Sequence, residues 1–226
     1  MQKCEWQGVE TDCSALFHMV PTDSGMCCAF NKKHALKHSE YSDLVLKMQS
    51  EDEKLAGKYE FEKGKVRKVK TGKKRGLRMI LDEHSNEASF STVKNDFYGL
   101  SVFVGSPDEF PVMKDRSLFI QPGHENFIDV SAYVVKSSSD IKHFDPEDRN
   151  CYFEDEGNLE FHQTYSYSSC KFECSIKGVE KEVGCVPWYM PHGNKTNMCD
   201  PWKTLEFSQV IPILILLSIW SVLLGT

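Results

Sequence analysis

Cysteine stands out in this chain, because five of its nine cysteines fall within residues 151–202. Thiols at this density either form disulfides or bind metal. No two cysteines have C-x-x-C spacing, and His162 precedes Cys170 by eight residues, which does not match a zinc finger. Structural disulfides are concentrated in extracellular proteins. We therefore predict an oxidised extracellular protein with no metal site and no cofactor.

Known catalytic motifs are missing from the sequence. We find no G-x-S-x-G, no H-E-x-x-H and no redox C-x-x-C. Glu154, Asp155 and Glu156 are adjacent, so on a strand they alternate between faces and cannot converge; we interpret them as a solvated turn. The net charge of −6 argues against nucleic-acid binding. The chain is predicted not to be an enzyme.

The elements that carry the cysteines are predicted to form an α+β fold. Within residues 39–56, Tyr41, Leu44, Val45 and Met48 have helical spacing, which predicts a helix lying on a domain surface; a partner-binding helix is the alternative. Alternating apolar residues predict strands within residues 77–82, 100–105 and 127–134. The long separations between these runs favour a mixed or antiparallel sheet with peripheral helices.

A basic run lies between the predicted helix and the first of these strands. Residues 63–78 contain nine Lys and Arg and no acid. We interpret the run as a solvated loop or hairpin, with a phosphate or heparin site as the alternative.

The two ends of the chain give conflicting indications about export. Residues 1–10 are polar and lack the apolar stretch of a signal peptide. Residues 208–226 carry no charge, and a helix of this length spans about 28 Å, close to the thickness of a bilayer core. We predict a C-terminal hydrophobic helix that crosses a membrane; a buried helix or a cleaved lipid-anchor signal is the alternative.

Three blocks of sequence resemble the extracellular domain of the degenerin/epithelial sodium channel superfamily, and pickpocket-like members most of all. Residues 4–31 resemble C-x-W…C…F…T-x-x-G-x-C-Y-T-F-N. Residues 99–134 contain a P-x-E-x-P-like segment and a Pro-Gly turn before a long strand. Residues 149–202 contain R-N-C, Y-S-Y-S-S-C-x3-C, G-C-V-P-W-Y-M-P and C-D-P-W, in the family's order.

The resemblance implies a sodium-selective, amiloride-sensitive channel in the plasma membrane. Its subunits form homo- or hetero-trimers, and each carries a large extracellular domain between two membrane helices. On this view residues 1–207 are a partial extracellular domain with a palm-type sheet. Residues 32–75 then belong to the variable finger, and residues 208–226 are a possible membrane segment. A surface sequon at Asn194 implies glycosylation.

The family's pairing also implies a partner for most cysteines. It pairs Cys4 with Cys13 and Cys185 with Cys199, and each bridge is worth roughly 2–4 kcal/mol. Four cysteines are implied to have partners outside this chain: Cys27, Cys151, Cys170 and Cys174. Val183 stands where the family has a cysteine, and Cys28 stands where it has a tyrosine.

The chain also departs from the family pattern, since it has neither the first membrane helix nor the selectivity motif of the second. We therefore expect a partial sequence that contributes the extracellular gating domain of a stimulus-gated channel subunit. The alternative is a non-conducting, membrane-held binding module that assembles with channel subunits.

Overall fold

The computed structural model describes residues 1–33, 67, 72, 74–84, 99–193, 196–200 and 203. The described residues fall into two compact units, one up to Val134 and one from Val135 onward. Among the described residues, seven strands lie in the first unit, and the longest helix lies in the second. Both contain buried apolar side chains, so each has a core of its own.

The first sheet has three antiparallel strands, in the order β2-β1-β5. The strands are β1 (Lys3–Trp6), β2 (Val9–Thr11) and β5 (Leu77–Ile80). Gln7 and Gly8 both have positive φ, as a two-residue hairpin turn requires. Cys4 is buried in β1 and bonded to Cys13, which lies in a single 3-10 turn, Cys13–Ala15. The disulfide thus closes the loop that contains β2.

The second sheet is a hairpin of β3 (Phe17–Thr22) and β4 (Gly25–Phe30). Its turn is tied to a later segment, because Asp23 accepts hydrogen bonds from the backbone N–H groups of Met113 and Lys114 at 2.7 and 3.0 Å. Asn31, just after β4, exchanges two hydrogen bonds with the backbone of Arg67. The hairpin therefore organises segments that are remote in sequence.

The third sheet pairs β6 (Leu100–Phe103) with β7 (Ser117–Ile120), and a single helical turn, α1 (Met113–Arg116), precedes β7. Gly99 introduces β6 with a φ of 145°, and a Cβ there would lie 2.4 Å from the carbonyl oxygen of Ile120. Only glycine therefore fits at the start of this strand.

The strand predictions at 77–82 and 100–105 are confirmed over shorter bounds, but the prediction at 127–134 is wrong. Residues 125–138 belong to no strand or helix. Val130 and Val134 are 67% and 69% exposed, and Tyr133 is 92% exposed. Alternation predicts which faces a strand would have, but a strand also needs a hydrogen-bonded neighbour, and no described segment pairs with this one.

In the second unit the described elements include a 3-10 turn (Ser139–His143) and the helices α2 (Pro146–Arg149) and α3 (Tyr167–Val183). The α+β prediction is confirmed, and every sheet among the described residues is antiparallel. The palm-type assignment stays a prediction.

Several sequence predictions lie outside the described residues. They concern the helix at 39–56, most of the basic run at 63–78 and the hydrophobic segment 208–226. Among the helices that the structure describes, none combines the length and the apolar character needed to cross a membrane.

The half-buried Lys32 allows a pH test of the first unit. Lys32 donates to the carbonyl of Pro107 at 3.0 Å, and burial lowers its pKa to about 8, although Asp108 and Glu109 partly oppose this. Between pH 8 and 10.5, the ordinary pKa of lysine, the unfolded chain binds a proton that the folded chain does not, so the free energy of unfolding rises with pH.

We therefore expect Lys32→Met to stabilise this unit at pH 7, and we expect the gain to shrink between pH 8 and pH 10.5. Chemical denaturation at each pH measures it, with Lys33→Met as the control for a charge lost beside Asp108. A gain that stays constant with pH would contradict the assignment.

Candidate functional site: the cysteine-bearing helix and its carboxylate clamp

Helix α3 carries two of the cysteines implied to have outside partners. Its first turn is capped by Ser166, whose hydroxyl accepts from the N–H of Ser169 at 3.0 Å. It ends at Gly184, which has a φ of 75° and suits the left-handed C-terminal position. Phe172, Ile176 and Val179 are buried on one face. This helix is not among the predicted elements, although its apolar spacing and its Ser and Gly caps are the local signals of a helix.

A disulfide between Cys185 and Cys199 closes the segment that follows α3. Both half-cystines are buried against Val179 of the helix, and Val183 packs at the edge of this cluster. Val186, next to the bridge, is fully buried and exchanges backbone hydrogen bonds with Asn197 and Cys199, both at 2.9 Å. The C-terminal half of the helix is therefore held by covalent and apolar contacts together.

The N-terminal half is held by one buried carboxylate. Oε1 of Glu173 accepts from the N–H groups of Phe161 and His162 at 2.8 and 3.0 Å, and Oε2 accepts from the N–H of Glu160 at 2.7 Å. The ring Nδ1 of His162 lies 2.8 Å from Oε1. Residues 160–162 are thus fastened to the middle of α3; we call this arrangement the carboxylate clamp.

Electrostatics keep the clamp ionised. Glu173 is 3% exposed and His162 is 2% exposed. Burial alone raises the pKa of Glu173, but the hydrogen bonds from His162 and from three backbone N–H groups outweigh it and hold the pKa below its ordinary value. His162 lies eight residues before Cys170 in the sequence, but its ring hydrogen-bonds to the Glu173 carboxylate.

The acidic cluster at 154–156 lies in a turn, as predicted, but its side chains are not simply solvated. Glu156 binds the guanidinium of Arg149 and the N–H of Phe153. Arg149 also stacks on the Phe153 ring, 4.6 Å from its centroid. Asp155 pairs with Lys142 at 2.7 Å, and this hydrogen bond lowers the pKa of the exposed carboxyl.

Tyr165 joins this turn to α3. Its backbone N–H donates to the carbonyl of Glu154 at 3.2 Å, and its ring lies on Gly157. Burial raises the pKa of the phenol, as do a hydrogen bond with the Cys170 thiol and electrostatic contact with Cys151. The Cys170 thiol is therefore hydrogen-bonded to a tyrosine that also interacts electrostatically with Cys151, although 19 residues separate the two cysteines in the sequence.

The predicted cysteines divide into four that form disulfides and four that do not. Cys4 is bonded to Cys13, and both disulfides join the residues that the resemblance implied. Cys27, Cys151, Cys170 and Cys174 form no disulfide in this structure. Cys174 and Cys151 are exposed, whereas Cys170 is half-buried. Asn194 lies outside the described residues.

Comparison with known proteins decides the family. The family profile described as "Amiloride-sensitive sodium channel" matches residues 1–208. The chain belongs to this family. Its members are ion channels, which is consistent with the prediction that the chain is not an enzyme.

Three curated relatives belong to fruit flies. Pickpocket protein 28 of Drosophila melanogaster is 30% identical over 204 residues, which cover 83% of this chain and 33% of the relative. Sodium channel protein Nach of Drosophila ananassae is 23% identical over 205 residues, covering 91% and 34%. Pickpocket protein 19 of Drosophila melanogaster is 25% identical over 196 residues, covering 83% and 34%. The chain spans about a third of the length of these relatives.

The carboxylate clamp is expected to stabilise the second unit, and a substitution at Glu173 tests this. Glu173→Gln removes the charge and one acceptor oxygen while keeping the shape, so three backbone donors and His162 lose charge-assisted bonds. We expect a loss of about 2–4 kcal/mol in unfolding free energy. In the wild type the same stabilisation is lost in acid, as the pH falls below 4.5 and through the lowered pKa of Glu173.

Hydrogen exchange of the backbone amides of residues 160–162 measures this loss directly. We expect them to exchange faster in Glu173→Gln at neutral pH. Glu182→Gln, on an exposed position of α3, is the matched control. Equal protection in both variants would contradict the clamp.

The contact between Tyr165 and Gly157 makes a second prediction. A Cβ on Gly157 would lie 2.0 Å from Cδ2 of Tyr165, so Gly157→Ala must displace the ring. We expect a destabilisation of roughly 1–3 kcal/mol by thermal or chemical denaturation. Gly178→Ala is the control, since nothing lies within 4 Å of its new methyl group and alanine favours a helix. Similar stability of the two variants would argue against the packing.

Proposed function

We propose that this chain contributes part of the extracellular gating domain of a sodium-channel subunit. The observation that carries the proposal is the presentation of cysteines by α3. Cys170 and Cys174 are four residues apart on a helix that is clamped at both halves. Cys151 lies by the same tyrosine as Cys170. A rigid element with two reactive positions on one face suits a fixed attachment to another segment.

Helix geometry indicates what that segment looks like. Residues four apart on an α-helix lie on one face and are separated by about 6 Å along its axis. Residues two apart on an extended strand lie on one face and are separated by about 6.6–6.8 Å. An extended C-x-C segment laid along α3 therefore matches Cys170 and Cys174, and such a segment fits the returning half of the family's thumb.

The exposed segment after β7 supports the same proposal for the first unit. Ile128, Val130, Ala132 and Val134 alternate with residues of the other face, and none of them is buried. An alternating segment of this kind is stable as a strand once a neighbouring strand covers it. We propose that it joins the palm-type sheet of the complete subunit.

The proposal includes the setting of the complete protein. Closed disulfides suit an extracellular domain, and a trimer of related subunits in the plasma membrane would conduct sodium ions. In that assembly the clamp would keep α3 and its attachments moving as one body, so that a stimulus acting on the extracellular domain reaches the pore. Glycosylation at Asn194 belongs to the same proposal.

A non-conducting binding module is the second candidate. The two disulfides that close within this chain favour it, because they stabilise each unit without a partner. Such a module would assemble with complete subunits and change their currents.

The experiment expresses the chain in cells that lack channels of this family, alone and together with a complete subunit. We expect no amiloride-sensitive sodium current from the chain alone, since its sequence contains no match to the family's selectivity motif. With a complete subunit we expect co-purification and, on non-reducing gels, mixed disulfides. Both the gating-domain and the binding-module proposals require that the chain associates with a complete subunit. If the chain alters the subunit's sodium current but forms no disulfide through α3, the result favours the binding module.

Cys170→Ser and Cys174→Ser should each reduce the mixed disulfides, whereas Cys28→Ser should leave them unchanged. A sodium current from the chain alone would overturn the proposal that the chain contributes only part of a gating domain. Absence of any association with complete subunits would overturn both candidates.

A further inference from the structure

A pair of sulfur atoms lies on one face of the β3–β4 hairpin. Met19 and Cys28 face each other across the two strands, and the Cys28 Sγ lies 3.7 Å from the Met19 Sδ. Met26 precedes Cys28 by two residues on the same strand, so it shares that face. Cys28 is exposed, and both methionines are partly exposed. One pair of sulfur atoms is therefore in contact where solutes can reach it, and a third sulfur-bearing side chain shares its face of the hairpin.

The adjacent cysteine is separated from this cluster by the alternation of the strand. Cys27 pairs with Val20 and lies 3.3 Å from the hydroxyl of Thr22, which is on the opposite face. A bond from Cys27 to an outside partner, as the family pairing implies, would leave Cys28 in place. The resemblance puts tyrosine at this position, so the thiol is a feature of this chain.

The sulfur atoms on this face of the hairpin favour soft metal cations. The side chains on this face are uncharged and consist of hydrocarbon or sulfur-containing groups. They belong to Phe17, Met19, Pro21, Met26, Cys28 and Phe30. Phe17 and Phe30 lie 5.8 Å apart and make the surroundings apolar. Hard ions such as calcium and magnesium need oxygen ligands, which these side chains do not offer. Thiolate and thioether ligands prefer Cu(I) among the biological metals.

We propose that Cys28 and Met19 bind a soft monovalent cation, Cu(I), with Met26 as the third ligand. Bonds from thiolate sulfur to a metal are about 2.3 Å long, so two sulfurs on a trigonal ion lie about 4 Å apart. The observed separation of 3.7 Å is close to this, so the pair needs little rearrangement. Binding replaces the S–H bond of Cys28 by a sulfur–metal bond and releases one proton, with no change of oxidation state.

The sequence predicts no metal site because its cysteines and histidine lack zinc-finger spacing. The two sulfur-bearing residues are nine positions apart in the chain, so only the hairpin register brings them together. The proposal is independent of channel activity, since it concerns a surface whose ligands all lie within one hairpin.

The test uses the full 226-residue chain, with its disulfides formed, and Ag(I) as a redox-inert probe for Cu(I). Competition with a soluble chelator of known affinity gives the binding constant, and X-ray absorption on the Cu(I) form gives the ligands. We expect one ion per chain that depends on Cys28, with two or three sulfur neighbours at about 2.3 Å.

Variants separate this site from the other thiols. Cys28→Ser should abolish this ion, and Met19→Leu should weaken it by more than the roughly 10- to 100-fold that a lost outer ligand costs. Met26→Leu should weaken it less. Cys174→Ser, an exposed thiol on α3, and Met113→Leu, a buried methionine, are matched controls and should leave it unchanged.

Three results would overturn the proposed Cu(I) site. Equal losses from Cys28→Ser and Cys174→Ser would mean nonspecific thiol binding and would overturn it. An unchanged affinity in Met19→Leu would also overturn it, as would an absorption spectrum with a single sulfur neighbour. Leucine matches methionine in volume, and circular dichroism on each variant verifies that the hairpin remains folded.

Discussion

The second unit depends on one buried negative charge. Removing the Glu173 carboxylate from water is costly, and the cost is offset only because four hydrogen-bond donors converge on it. Three of the donors are backbone groups of residues 160–162, so the carboxylate satisfies N–H groups of a segment that belongs to no described strand or helix. The requirement to satisfy one charge therefore determines where the chain passes across α3.

This constraint has consequences for the cysteines. Tyr165 lies between the clamped segment and the start of α3, and it contacts the thiol of Cys170 and lies near Cys151. The disulfide between Cys185 and Cys199 holds the other end of the helix against Val179. Because both ends are held, Cys170 and Cys174 are presented in a defined geometry. That defined geometry is the basis of the proposal that α3 is a fixed point of attachment for another segment.

Parts of this structure could be predicted from local pattern. The alternation at residues 77–82 and 100–105 is short-range information, and both strands form within those bounds. The same reasoning failed at 127–134, where the pattern is at least as clear but no neighbouring strand is present among the described residues. Helix α3 was missed because its cysteines were interpreted as a spaced motif, although Phe172, Ile176 and Val179 repeat at helical intervals. The clamp itself has no local signal, since Glu173 and residues 160–162 meet only after the chain turns back.

The amino-acid sequence by itself determined the family and the cysteine pattern, because blocks of cysteine, proline and aromatic residues at fixed separations are recorded directly in the order of residues. It also determined the short strands, since side-chain alternation is a property of neighbours. Only the tertiary structure decided which groups meet: Glu173 with His162, Tyr165 with Gly157, and Cys28 with Met19. These contacts depend on the register and path of the folded backbone. Burial then determines whether a charged group needs hydrogen-bond partners, and exposure determines whether a thiol can reach a ligand.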